Sequence, residues 1–329
     1  MSDERHSVSR RTFLTAAAIG GTAAAVGGLN GVAAQADPSA ELPPAYEGDL
    51  VAVRGDRLIM VTPMEGELVI PVSHRTSTWF GGQSSLDALR PGQDITIGLD
   101  ETGFGDRLWA DITRIKGVIT SVSGNDFEVD PGNGGHPRVL HLPDTARAAL
   151  RGDYTRWENG YLVDIIGLRR DDSAVAVQAA APQPGYHVDE MPEFGAAAGY
   201  PDLSDAAARQ FDGKITWFDD AECKCKSRCR GHNAHASWSR VDKCDFMPAR
   251  CRRIPVLSCG RKITVHNKCN KKSLSVEVID CGPDNKRFCD SCTKCGRSPK
   301  GRIADLTKPT YVRIGGSLNA GCFTGWAKV

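Results

Sequence analysis

The chain has 329 residues, a formal net charge of +1, 40% hydrophobic and 25% charged residues. That balance excludes a disordered or fibrous chain and leaves room for more than one domain with its own core. The net charge hides a split: from Lys214 onward 24 basic residues face 10 acidic ones, a surplus of 14, while the other 17 basic and 30 acidic residues leave a deficit of 13. Such a split points to separate domains with the basic one meeting an anionic polymer, or to two halves that attract each other.

Residues 1–36 read as an address. Ser9-Arg10-Arg11-Thr12-Phe13-Leu14 has the form of a twin-arginine core, an Ala/Gly-rich apolar stretch follows, and Ala34-Gln35-Ala36 supplies a small-x-small cleavage site. The pattern predicts export by the twin-arginine pathway, to the medium or the cell wall, and no transmembrane segment in the mature protein. Residues 37–46 form a Pro-bearing spacer.

From residue 47 to 181 the pattern is β and appears twice, as repeats over 47–115 and 116–181. Gly48–Val61 lines up with Gly117–Val129, each with alternating apolar residues around Gly55-Asp56 or Gly124-Asn125, the chemistry of a two-residue type II′ hairpin. Leu89–Ile97 matches Trp157–Ile165, and each unit closes on a further strand, Arg107–Ile115 and Ser173–Ala179. Two copies with several short strands predict paired small barrels of oligonucleotide/oligosaccharide-binding (OB) type. His136 and His141 have no acid or Cys partner in the pattern and read as surface histidines. The acidic charge argues against nucleic acid, because phosphate binding needs Lys and Arg. Residues 182–212 read as a Pro/Gly/Ala-rich linker with a short helix over Ser204–Phe211.

The stretch Lys262–Gly316 organises the rest, within a last domain over 213–329. Lys262–Asn267 and Ser273–Asp280 alternate as two strands joined by a Lys/Asn turn, and the second ends on Asp280-Cys281-Gly282-Pro283. Asp305 is expected to open a short helical turn at Asp305-Leu306-Thr307. Acids at the ends of elements face grooves more readily than acids inside strands, which makes Asp280 and Asp305 the candidates for chemistry. The alternative is that both cap backbone.

All 12 cysteines fall in the C-terminal part: Cys223, Cys225, Cys229, Cys244, Cys251, Cys259, Cys269, Cys281, Cys289, Cys292, Cys295 and Cys322. The even count and density predict a disulfide scaffold made in an oxidising compartment, and no cofactor or metal. Two metal readings compete with it. Cys289, Cys292 and Cys295 resemble part of an iron–sulfur run, but Pro299 stands where the fourth ligand would fall. Cys223, Cys225, Cys229, His232 and His235 have zinc-ligand chemistry.

From Gly213 onward the residues resemble the six-stranded double-psi β-barrels of rare lipoprotein A-like proteins, barwin, the expansins and family 45 endoglucanases. Gly213-Lys-Ile-Thr216-Trp-Phe218-Asp219 resembles their first strand. Val276–Pro283 followed by Arg302-Ile-Ala-Asp305-Leu and Ile314-Gly315 is similar to their paired acid motifs, and Gly321–Val329 to their closing strand. The fold class implied is mainly β: two OB-like repeats, then a disulfide-rich double-psi barrel.

Position by position, the resemblance implies that Asp305 matches the expansin acid that is also the endoglucanase general acid. Asp280 matches the acid tied to lytic cleavage of peptidoglycan, Asp219 the endoglucanase base, and Thr216 a groove-lining residue. Ile303-Ala304 stands where expansins carry His-Phe, and no His lies near Arg252–Ile254, where the lytic relatives have theirs. Trp217, Trp238 and Arg302 join Thr216 as candidate polymer contacts, the alternative for the tryptophans being core positions. The expectation is a wall-associated protein that binds polysaccharide or peptidoglycan through the barrel groove. The alternatives are a lytic transglycosylase or endoglucanase using Asp280 or Asp305, and a barwin-like module that meets another protein. Nothing in the pattern specifies an oligomer.

Overall fold

Alternating apolar residues around a glycine turn start the fold. Strands β1 (Ala45–Arg54) and β2 (Arg57–Thr62) pair antiparallel across Gly55-Asp56. Gly55 stands at φ +60°, the left-handed geometry that a type II′ turn demands of its first residue. Gly124 repeats this at φ +62° between the later strands β8 (Ile112–Ser123) and β9 (Asp126–Asp130). The computed structural model describes residues 42–132, 136–150, 156–180, 187–190, 209–219, 225, 229–238, 241, 255–282 and 302–329. The address segment, most of the expected linker helix and the Cys289–Cys295 run lie outside them. Everything described belongs to one compact unit.

The first repeat continues with β3 (Gly66–Pro71), β4 (Ser77–Trp79), β5 (Gln83–Ser84), β6 (Asp94–Leu99) and β7 (Gly105–Ala110), and forms a seven-stranded sheet ordered β3-β2-β1-β6-β7-β4-β5. The second adds β10 (Arg138–His141), helix α1 (Asp144–Leu150), β11 (Leu162–Arg170) and β12 (Ser173–Ala179), and closes as β10-β12-β11-β8-β9. Numbered within the repeat, this is the 1-2-3-5-4 ring of an OB-like barrel, with β10 and β12 parallel. The first repeat has matching pairings, including the parallel pair β4–β7. Its third strand is split into β3 and β4 by a turn in which Thr76 N–H donates to Ser73 O at 2.9 Å, so the ring does not close there. The strand expected over Arg107–Ile115 is likewise broken: Asp111 takes φ +49°, ending β7 and starting β8.

The C-terminal region is a closed barrel of six strands: β13 (Gln210–Phe218), β14 (His235–Trp238), β15 (Lys262–Asn267), β16 (Ser273–Cys281), β17 (Arg302–Thr307) and β18 (Cys322–Lys328), ordered β13-β17-β14-β16-β15-β18. Two pairs, β13–β17 and β14–β16, are parallel and the others antiparallel. Two expectations change. Phe211, placed at the end of the linker helix, lies in β13. Asp305 lies inside β17, and helix α2 (Lys308–Arg313) starts only after Thr307, where Pro309 suits a first turn whose N–H groups lack partners. Cys225 and Cys259 form a disulfide, and Cys229, Cys269, Cys281 and Cys322 are also disulfide-bonded. Cys225 and Cys229 are therefore not the thiolates a zinc site needs.

One apolar core runs through the barrel and on into both repeats. Trp217, Trp238, Val265, Val278, Leu306 and Phe323 belong to the same cluster as Trp79 and Trp109 of the first sheet and Ile112 and Ile166 of the second. Burying a large apolar side chain contributes roughly 1.5–3 kcal/mol, so the contacts between sheets are a principal source of stability.

Candidate functional site

Strand register brings the two candidate acids into one line. In β14, Ser237 pairs with Asp280 of β16 on one side and with Asp305 of β17 on the other. Asp305 in turn pairs with Thr216 of β13. Residues opposite one another in a ladder share a face of the sheet, so Asp280, Ser237, Asp305 and Thr216 form one cross-strand row. Asp280 is partly exposed and Asp305 is 1% exposed. The chain leaving β16 bends back over the row. A Cβ on Gly282 would lie 3.4 Å from Ser237 Oγ and 3.8 Å from Asp305 Oδ2, and Gly282 takes φ +139°.

Asp305 is held from both sides. Thr216 Oγ1 donates to its Oδ1, and Lys116 Nζ of β8 donates to its Oδ2 at 2.6 Å. The second repeat thus reaches onto the acid row. Two neighbouring charge clusters come from the same contact. Arg114 of β8 grips Asp164 of β11 through two bonds of 2.7 Å, and its guanidinium lies 5.9 Å from the centre of the Trp217 ring. Arg302 adds a bond of 2.5 Å to Asp164. Burial alone would raise the Asp164 carboxyl, but Arg114 and Arg302 outweigh it and hold it well below the usual carboxylate range.

The third cluster joins all three sheets. Lys308 Nζ sits among Glu47 Oε1 (2.9 Å), Asp94 Oδ2 (2.8 Å) and Asp219 Oδ1 (2.9 Å), with Arg169 on Asp219 (2.6 Å) and Arg230 on Asp94 (2.7 Å). Those three carboxylates have the spacing of a cation site, and a lysine ammonium fills it. Burial opposes ionisation of Asp219, yet Lys308, Arg169 and a bond from Thr113 depress it strongly. Lys308 is raised, because Asp219, Asp94 and Glu47 overcome the cost of burying its charge. A gap of about 20 Å3 beside this cluster is large enough for a single water molecule. A larger cleft of about 390 Å3 lies elsewhere, between Pro43, Leu99, Asp100, Arg107 and Arg313.

The candidate residues fall in different surroundings. Trp217 and Trp238 are completely buried, with their indole N–H groups on Leu318 O (2.9 Å) and Pro255 O (3.0 Å). They are core residues, because a ring with no exposed face cannot stack on a polymer. Arg302 is buried against Asp164 and contacts no groove. Asp219 is a structural anion in the Lys308 cluster, and a carboxylate held ionised by two cations is unsuited to taking up a proton. His141 has an acid partner after all, Asp126 Oδ1 at 2.7 Å on the paired strand, and both are exposed. Thr216 and Asp305 are brought together, with Asp280 two strands away in the same row, but Thr216, expected to line a groove, is completely buried against Asp305.

Sequence reasoning missed Ser237, Lys116, Lys308, Glu47 and Asp94. The only trace of the last three was the opposite charge of the two parts of the chain. Among the described residues no helix is long and apolar enough to cross a membrane. No protein-family profile matches the chain and no curated protein matches it.

Proposed function

We propose that the chain is a wall-associated protein, exported through its twin-arginine segment, that binds polysaccharide or peptidoglycan on its last barrel without cleaving it. The observation that carries this reading is the row Asp280–Ser237–Asp305–Thr216, formed where the parallel pairs β13–β17 and β14–β16 meet through β14. Six strands with two parallel pairs fit a double-psi barrel, and the partly exposed carboxylate of Asp280 suits hydrogen bonds to sugar hydroxyls, with Ser237, Asp305 and Thr216 buried behind it. Asp280 is the end of the row that a polymer reaches, and Asp305, held by Thr216 and Lys116, is its fixed inner acid.

Binding is favoured over cleavage because a general acid must carry a proton near neutral pH. Asp219 is held ionised by adjacent cations, and Asp305 is buried away from any polymer with Thr216 and Lys116 on its two oxygens. An inverting hydrolase would need a second, proton-accepting carboxyl across from it, and Asp219 is committed to Lys308.

The test is co-sedimentation of the full chain with insoluble peptidoglycan and with cellulose at low salt, followed by analysis of the soluble fraction. Retention on at least one polymer with no released fragments is expected, with retention weakened several-fold in Asp280→Asn. Loss of all binding rejects the reading. Fragments that disappear in Asp305→Asn or Asp280→Asn establish the lytic alternative instead.

A further inference from the structure

The outer surface of the barrel formed by β16, β15 and β18 carries a second feature. Alternation along β15 buries Ile263, Val265 and Asn267 and turns Lys262, Thr264 and His266 outward. Across the ladders His266 pairs with Ser273 and Trp326, and Thr264 with Ser275 and Lys328. His266 stacks on Trp326, ring centroids 4.6 Å apart and planes within 15°, while its Nδ1 is 2.8 Å from Ser273 Oγ. Both rings are partly exposed. Exposed Lys268 and Lys271 act on His266, and exposed Lys328 lies opposite Thr264, against the carboxylates of Asp212, which pairs with Trp326, and Glu277 farther along β16. One contact links these lysines to the stack's row: Lys268 Nζ meets Asp212 at 2.8 Å.

The turn that presents Lys268 and Lys271 is built at a cost. Lys271 takes φ +66°, a conformation that glycine adopts freely and a side-chain-bearing residue does not. Neighbouring cations leave their mark on His266, whose protonation is depressed by burial first and then by Lys271 and Lys268. A sheet face with one stacked aromatic pair, a line of hydroxyls and neighbouring cations matches a sugar polymer that carries negative charge. Single-stranded nucleic acid is matched less well, because it calls for a series of aromatic platforms for successive bases.

We propose that this face is a docking platform for an acidic polysaccharide, with pyranose rings packed against the His266–Trp326 stack and their carboxylates on Lys268 and Lys271. It rests on the preceding reading for the class of ligand alone, since the platform and the acid row are different surfaces of the barrel.

The experiment measures affinity of the full chain for polygalacturonate at low salt, with a neutral β-glucan and duplex DNA as comparisons. Polygalacturonate is expected to bind more tightly than either, and Trp326→Ala to weaken it about tenfold or more. Lys268→Gln combined with Lys271→Gly is the decisive variant, because glycine relieves the turn: affinity falls by a similar factor while the melting temperature holds or rises. On adding polymer, the His266 pKa followed by NMR moves up as bound carboxylates offset the lysines. Unchanged affinity in the double variant, or DNA binding as tight as polygalacturonate, overturns the proposal. Binding lost in Asp280→Asn but kept in the double variant overturns it while leaving the acid row standing. The reverse pattern supports the platform and removes the row. Failure of the wild-type chain to bind either polysaccharide, with peptidoglycan and cellulose also negative, overturns both.

Discussion

Lys308 is the residue on which the arrangement of the three sheets turns. Its side chain is 2% exposed and replaces water with Glu47 and Asp94 of the first sheet and Asp219 just after β13. Lys308→Met removes the cation and leaves three buried carboxylates facing each other. Loss of one member of a buried ion set costs about 3–5 kcal/mol, and a fall of that size is expected in urea titrations. Gly321 is a second sensitive point. It takes φ +78°, and an added Cβ would meet Ala180 O at 1.7 Å, while Gly321 O accepts from Arg114 at 3.1 Å. Gly321→Ala is expected to cost roughly 2–3 kcal/mol through strain and overpacking, read as a lowered melting temperature. Neither residue announced itself in the sequence. Lys308 sits beside Pro309 like any helix start, and only the distant acids of β1 and β6 give it a role.

At the scale of elements, β8 and β17 carry the contact between the second barrel and the last one. Asp164, Asp219 and Asp94 are all depressed below ordinary carboxylates by the cations around them, after burial has pushed the other way. Groups of this sign stabilise fully above the unfolded carboxylate value of about 4 and lose that contribution as pH falls through their lower folded values. Glu47 is raised, chiefly by burial, and acts in the opposite sense. Stability is therefore expected to drop steeply below about pH 4, and Asp164→Asn to be weaker at neutral pH with a shallower acid slope. Urea midpoints measured at stepped pH values check both. The disulfide Cys225–Cys259 spans 34 residues, and replacing both cysteines by serine is expected to cost about 3–4 kcal/mol from loop entropy. Period-two patterning made β1, β2, β8, β9, β15 and β16 legible, and the glycine turns at Gly55 and Gly124 fixed two hairpins. Asp305 was misplaced because Asp-Leu-Thr-Lys-Pro carries helix-start chemistry, whereas pairing with both β13 and β14 keeps it extended.

Over the whole molecule, part of the charge split is spent internally. Arg230, Lys308 and Arg302 from the basic part meet Glu47, Asp49, Asp94 and Asp164 from the acidic part. This is the attraction of two halves, and it accounts for residues that composition alone assigned to a polymer. The mainly β class and the duplicated repeat followed from alternation and internal similarity, and the final barrel from the resemblance of its strand and acid motifs to known barrels. Which sheet faces which did not, because Trp109, Ile112 and Ile166 look like core residues of their own units and are shared with the barrel. Among the described residues, exposed lysines also stand near His266 and Trp326. The most direct measurement of the central claim is co-sedimentation with purified peptidoglycan and cellulose, scored together with release of soluble sugar. The account predicts salt-sensitive retention of intact protein and no released sugar. Absence of retention at low salt, or release of fragments abolished by Asp305→Asn, would contradict it.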